Sequence, residues 1–259
     1  MTLKDYRDQE ISGACSVQKH YDSLLAEHYD WMFGASLEAK VLEQKALLSE
    51  IAVGAQGELA VDLGCGSGFQ TLALYELGYR VLALDLSEKL LGKLAGRIGS
   101  RNITIRLGDL RKLDEYVAPA SVGMIVCMGD TLTHLTSRRE VCDLFRSVER
   151  ALKSRGVFVV TYRDLSGDGL LGLDRFIPIR GDDERVMTCF LEYLDSYTAM
   201  ITDLVHVRDT AGRWTLQKSS YQKLRLPVDW VRGQIAAAGL SVNLQRTERM
   251  ATLAAIKAG

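Results

Sequence analysis

The chain is short of several things, and each shortage removes a class of answer. Three prolines in 259 residues, with no Pro-rich or low-complexity tract, leave no linker to mark a domain boundary. The five cysteines are odd in number, have no Cys-x-x-Cys spacing and no histidine cluster beside them. That pattern fits neither a disulfide scaffold nor a structural zinc site and is the usage of a reducing compartment. There is no excess of either charge, because 32 Lys+Arg stand against 33 Asp+Glu for a formal charge of -1. Without a basic field, a polyanion such as nucleic acid is a poor partner. No stretch reaches the ~18 apolar residues of a spanning helix, and the opening MTLKDYRDQE has no apolar core followed by a cleavage site. The expectation is a soluble cytoplasmic protein. His20, His28, His134 and His206 form no ligand spacing with acids, so no metal is expected.

What is present is a composition of 47% hydrophobic and 25% charged residues, enough to bury a real core. Apolar runs at Leu59–Leu63, Val81–Leu86, Ile103–Leu107, Val122–Met128 and Val157–Tyr162 read as strands buried on both faces. Between them, Phe69–Leu77, Glu88–Ile98 and Arg138–Lys153 have the period of amphipathic helices. This alternation predicts an α/β fold with an open, doubly wound, mostly parallel sheet, whose ligands bind beyond the carboxyl ends of the strands. Ahead of it, Ser16–Trp31 and Leu37–Ile51 read as helices, the first carrying Tyr21, Tyr29 and Trp31. From about Arg163 to Leu226 the pattern turns to antiparallel strands with a turn at Asp209–Gly212, and a helix at Val228–Ala238 and a strand near Ala251–Lys257 close the chain.

The sharpest local signal is Ala60-Val61-Asp62-Leu63-Gly64-Cys65-Gly66-Ser67-Gly68-Phe69, a strand running through three alternate glycines into a helix. A dinucleotide fingerprint would need glycine at position 69, which is Phe69, and this weighs against NAD. A tight strand-to-helix turn without a ligand is the plainer reading of the glycines alone. The next strand ends at Asp85, where a carboxylate can accept from both hydroxyls of a ribose; Ser87 is better placed to cap the helix that follows. The third strand ends in Gly108-Asp109-Leu110, which can face an adenine.

Taken together, these motifs resemble those of the class I S-adenosylmethionine-dependent methyltransferases, whose glycine motif matches residues 61 to 68 and whose ribose acid matches Asp85. The resemblance covers roughly residues 55–165 and implies a seven-stranded sheet with an antiparallel C-terminal strand. It implies that Gly64, Cys65, Gly66 and Gly68 lie along the methionine part of the cofactor, with Asp62 supporting the loop or the amino group. Asp85 and Leu86 would then meet the ribose, and Asp109 and Leu110 the adenine. Met128 and Gly129 follow the fourth strand, where the methyl is reached. In related small-molecule enzymes an N-terminal lid carries tyrosines near the cofactor or acceptor, which makes Tyr21, Tyr29 and Trp31 lid candidates. The corresponding division of the chain is a helical cap (1–54), a cofactor-binding core (55–165), a strand-rich antiparallel insertion that covers the substrate or forms an interface (166–226), and a helix and strand that complete the core (227–259).

The loop Gly129-Asp130-Thr131-Leu132-Thr133-His134 lacks the Pro-Pro of base methyltransferases and resembles the small-molecule N-methyltransferases, including the glycine and amino-sugar types. Methyl transfer is an in-line displacement that needs alignment and exclusion of water more than covalent help. His134 is the candidate base or acceptor-orienting residue, or else a hydrogen-bond partner of its own loop; Asp130 either turns the loop or touches the acceptor. Tyr162, Arg163, Tyr221, Lys223 and Arg225 are candidates for holding an anionic group of the substrate. A solvated strand face paired with Asp182, Asp183 and Glu184 is the competing account. The expectation is methyl transfer to a small, anionic metabolite, with N-methylation preferred and S-adenosyl-L-homocysteine as product. An NAD-dependent oxidoreductase, a non-catalytic S-adenosylmethionine-binding regulator and a protein methyltransferase are the alternatives.

Overall fold

A computed structural model describes residues 16–51, 56–167 and 169–259. The polar opening read above for a leader, and the boundary at 54/55, lie outside the described residues. The first described helical stretch has three parts: α1 (Val17–His20), a π turn (Tyr21–Leu25) and α2 (Ala26–Met32). It is followed by α3 (Leu37–Ser49). The π turn takes up an extra residue. It brings positions eight apart, such as Tyr21 and Tyr29, back towards one face of a helix that would otherwise have rotated past it.

The core alternates β1 (Leu59–Leu63), α4 (Phe69–Glu76), β2 (Arg80–Asp85), α5 (Glu88–Ile98), β3 (Ile103–Leu107), the short α6 (Leu113–Tyr116), β4 (Val122–Cys127), α7 (Arg138–Ala151) and β5 (Leu152–Tyr162). A second unit, β6 (Phe176–Gly181), β7 (Arg185–Tyr193), β8 (Thr198–Arg208) and β9 (Trp214–Leu224), forms its own antiparallel four-stranded sheet. The chain then returns through α8 (Val228–Ala237), β10 (Leu240–Thr247) and β11 (Ala251–Lys257). The main sheet runs β10-β11-β5-β4-β1-β2-β3. β11 is antiparallel to both neighbours, because only a short hairpin separates it from β10. Every residue of β4 is buried, as a strand covered by helices on both faces requires. One layer packs Phe145 of α7 and Val231 of α8 against Ile125 and Phe158. The other packs Leu48 of α3 and Leu72 of α4 against Met124 and Val159. Ser36, Ser87 and Ser137 each accept a backbone N–H from the first turn of the following helix, a cap that contributes about 1 kcal/mol apiece.

Two boundaries differ from the sequence pattern. Helix α7 stops at Ala151 rather than Lys153, because the carbonyls of Arg150 and Ala151 accept from Ala120 and Ser121. β5 starts at Leu152 rather than Val157, with its pairing to β4 interrupted between Leu152 and Val157. Arg155 there adopts a φ of 60°. β10 carries no continuous apolar run; it lies at the sheet edge, where Leu240 is buried, Val242 and Leu244 are half-buried and the rest is exposed.

Candidate active site

A cleft of about 610 Å³ opens beyond the carboxyl ends of β1, β2, β3 and β4, between the N-terminal helical stretch and the end of β9. This is where an open α/β sheet collects ligands. One arm of the cleft is lined by Gly64, Gly66, Asp85, Leu86, Asp109 and Leu110, the other by Gln18, Tyr21, His134, Thr198, Gln222 and Lys223. Tyr29, Gly129 and Thr131 also line it.

The glycine loop is shaped as much by the chain itself as by any ligand. Gly64, Gly66 and Gly68 have φ of 74°, 54° and 100°, left-handed conformations that side chains disfavour. A Cβ at Gly64 would lie 2.3 Å from Thr131 Cγ2, and one at Gly68 would lie 2.3 Å from Leu94 Cδ1. A Cβ at Gly66 would lie 3.1 Å from Tyr29 Oη. Cys65 packs against Ala83, Leu91 and Leu94 away from the cleft, and burial raises its thiol well above the ordinary value. Asp62 is likewise off the cleft wall. Its carboxylate accepts from Thr71 Oγ1 at 2.6 Å, and burial raises it to about 7.

At the end of β2, the Asp85 carboxylate accepts from Gly66 N and Ser87 N, both at 2.8 Å. Burial still raises its pKa above the usual carboxylate range. Each oxygen keeps a further lone pair, so the fixed carboxylate on the cleft wall fits a ribose. At the end of β3, Asp109 is gripped by the Arg111 guanidinium, whose other arm reaches Glu140 Oε1 at 2.8 Å. Burial pushes Asp109 up, but the Arg111 bonds outweigh it and hold the carboxyl low. Met128 is buried in the core, with its carbonyl accepting from Thr131 Oγ1.

The second arm contains a charge cluster. Asp130, at a φ of 78°, accepts from Lys223 Nζ at 3.0 Å, Arg163 Nη1 at 2.7 Å and Arg163 N at 2.6 Å. Burial raises this carboxyl, but the two cations outweigh it and hold it well below the usual range. His134 is pushed down to about 3, first by burial and then by the Lys223 charge. Its ring meets Tyr21 at 5.7 Å and Tyr221 at 5.6 Å, edge on. Tyr221, Arg163 and Asp130 stand behind the cleft wall rather than on it. Arg163 and Lys223 pair with Asp130, not with the acidic run 182–184. Arg225 is directed to the carbonyls of Leu165, Ser166 and Asp195, and Tyr162 is fully buried in the core. Neither lines the cleft. Trp31 also lies away from it, donating to Asp182 Oδ2 with the Arg180 and Arg185 guanidiniums over its ring.

Sequence reasoning passed over Thr131, Gln18, Thr198, Gln222 and Arg111. Thr131 sits within the loop already singled out, and its contact with Gly64 is the kind of close approach that alternate glycines announce. Arg111 and Gln222 likewise adjoin residues already singled out, Leu110 on one side and Tyr221 and Lys223 on the other, whereas Gln18 and Thr198 carry no local signal.

Residues 60–156 match the family model of the methyltransferase domain. The cypemycin N-terminal methyltransferase of a Streptomyces species is 28% identical over 181 residues, covering 64% of this chain and 69% of that protein. Four other curated relatives, 24–31% identical, align over 100–109 residues, so that the chain spans only 37–43% of their length. The structure of the CcbJ methyltransferase from Streptomyces caelestis superposes with a TM-score of 0.76 at 20% identity, covering 92% of this chain and 98% of that one. S-adenosylmethionine-bound CalS10, an amino pentose methyltransferase from Micromonospora echinaspora, superposes at 0.68 with 17% identity, covering 90% and 96%. The fold is that of the class I methyltransferases. More narrowly, residues 60–156 carry an S-adenosylmethionine-dependent methyltransferase domain. Within the chain, Gly64, Gly66, Asp85, Asp109 and Leu110 form a wall whose chemistry fits that cofactor.

Proposed function

We propose that the protein transfers the methyl group of S-adenosylmethionine to the nitrogen of a small amine that also carries an anionic group. The observation that carries this reading is the division of one cleft into an arm with acidic strand ends and an arm whose charged side chain is Lys223. When bound, the cofactor supplies an electrophilic methyl on a sulfonium. Asp85 would orient the ribose, and Asp109 with Leu110 the adenine. The loop from Gly129 to His134 would set the direction of approach, as an in-line displacement requires.

Two cations share one carboxylate at Asp130, leaving a net positive charge that favours an anionic substituent on the acceptor. The same field disfavours an ammonium, so the amine reaches the methyl in its neutral, nucleophilic form. His134, held neutral, then serves to hold an N–H rather than to store a proton. The similarity to an N-terminal methyltransferase favours a peptide α-amine as a second acceptor class. The test is methylation of a panel of amino acids, amino sugars and short peptides with free N-termini, followed by Lys223→Met. The reading expects an amine product and an acceptor KM raised at least tenfold by the substitution. Exclusive O- or S-methylation, or an unchanged KM, contradicts it.

A further inference from the structure

Directly behind the acceptor arm lies a buried pair that the reaction as described does not use. His20, at the end of α1, is fully buried, and its Nε2 stands 2.9 Å from Oδ2 of Asp203 on β8, 183 residues away. Asp203 is only 4% exposed. No lysine or arginine pairs with it among the described residues. A buried ionisable pair of this kind is no more stabilising than well-packed apolar side chains of similar volume. Stability alone is therefore a weak account of it.

The surroundings point to the cleft. The His20 ring lies on the Tyr221 ring, 4.2 Å between centroids at an interplanar angle of 35°. The Tyr221 ring also meets His134, and the Tyr21 ring touches both imidazoles, at 5.9 Å and 5.7 Å. Tyr21 and His134 line the cleft. Lys223, two residues along β9 from Tyr221, lines it too, on the face of the strand that Tyr221 shares. His20 Nδ1 and His134 Nε2 are both buried without a partner among the described residues. Unpaired buried polar atoms call for an explanation, and here two of them belong to rings that meet one tyrosine behind the wall of a ligand cleft.

The bond to Asp203 fixes the plane of the His20 ring, and that ring backs Tyr221. We infer that Asp203 and His20 are positioning residues of the acceptor arm: locked to each other, they hold Tyr221 against His134 and so set how the acceptor nitrogen is presented to the methyl. This rests on the amine-methylation reading above. Neither residue touches the reacting atoms; both act through Tyr221 and His134.

The test uses the full chain, labelled with ¹⁵N-histidine, as wild type, His20→Phe and Asp203→Asn. His20→Phe keeps an aromatic ring over Tyr221 and removes the bond to Asp203; Asp203→Asn keeps the shape and removes the charge. S-adenosylhomocysteine binding, by calorimetry, should stay within twofold in all three. Long-range ¹H–¹⁵N spectra should show the His134 ring signals displaced in both variants. With the best amine of the panel, kcat should fall about tenfold while the acceptor KM changes less than threefold, the split expected when alignment rather than binding is lost. Should Asp203→Asn fail to fold, His20→Phe decides. Unmoved His134 signals, or a kcat within twofold of wild type, with cofactor binding intact, overturn the positioning role alone. A folded wild type that binds no S-adenosylhomocysteine overturns the methyl-transfer reading as well.

Discussion

Replacing Lys223 with methionine removes one of the two cations on a carboxylate that is almost wholly buried. Breaking a buried ion pair by deleting one partner costs about 3–5 kcal/mol, because a charge is left uncompensated. Asp130 keeps Arg163, but that side chain is 59% exposed, and an exposed partner contributes roughly 1 kcal/mol or less. The expected loss at neutral pH is therefore about 2–4 kcal/mol, the buried-pair range less the roughly 1 kcal/mol that Arg163 retains. The direction with pH follows from the lowered carboxyl of Asp130. Its contribution is present above the ordinary carboxylate value and is lost as pH falls through its own, lower one. Removing Lys223 brings that acid loss to a higher pH. Urea unfolding, followed by tryptophan fluorescence at several pH values, reads both effects. Combining Lys223→Met with Asp130→Asn removes both charges and should be less harmful than the sum of the two changes by about 1 kcal/mol or more. A Lys223→Met loss below about 1 kcal/mol, or strict additivity in that cycle, refutes a coupled buried pair.

Other consequences can be checked with similar means. Gly64→Ala should destabilise by about 1–2 kcal/mol for the left-handed backbone and by a further ~1–3 kcal/mol for overpacking against Thr131. Adding Thr131→Gly should recover only the second part in urea unfolding; no recovery would show that the contact does not constrain the loop. Burial raises the Asp62 carboxyl to about 7, so the stability linked to its protonated form is complete below about pH 4 and lost as pH rises through 7. Asp62→Asn should therefore flatten the stability profile between about pH 4 and 7, and a variant as pH-sensitive as wild type contradicts the assignment.

The parts of the molecule legible in its sequence are those whose causes are local. Strands buried on both faces must be largely apolar, as β4 is throughout and β1 is apart from Asp62; the glycines of the loop need positive φ, Asp85 ends β2 and Asp109 follows β3 by two residues. β10 escaped because an edge strand with one wet face leaves only a weak alternation. The junction at Leu152 escaped because a leucine there suits the last turn of a helix as well as a strand start. The substrate-side cations were visible as residues but not as contacts. Nothing near Arg225 announces that its guanidinium will meet three backbone carbonyls. Lys223 finds Asp130 across 93 residues. The histidines His20 and His28 lie eight apart with no ligand spacing, yet each reaches into the four-stranded sheet, one to Asp203 and the other to Gln217.

The central claim is the cofactor, and calorimetry tests it most directly. S-adenosylmethionine and S-adenosylhomocysteine are titrated into wild type and Asp85→Ala, with NAD as the control. The account predicts that both sulfur compounds bind and NAD does not, and that the substitution weakens binding about tenfold or more, roughly 1.4 kcal/mol of lost ribose hydrogen bonding. Binding of NAD, or no binding of either sulfur compound by a folded preparation, would contradict it.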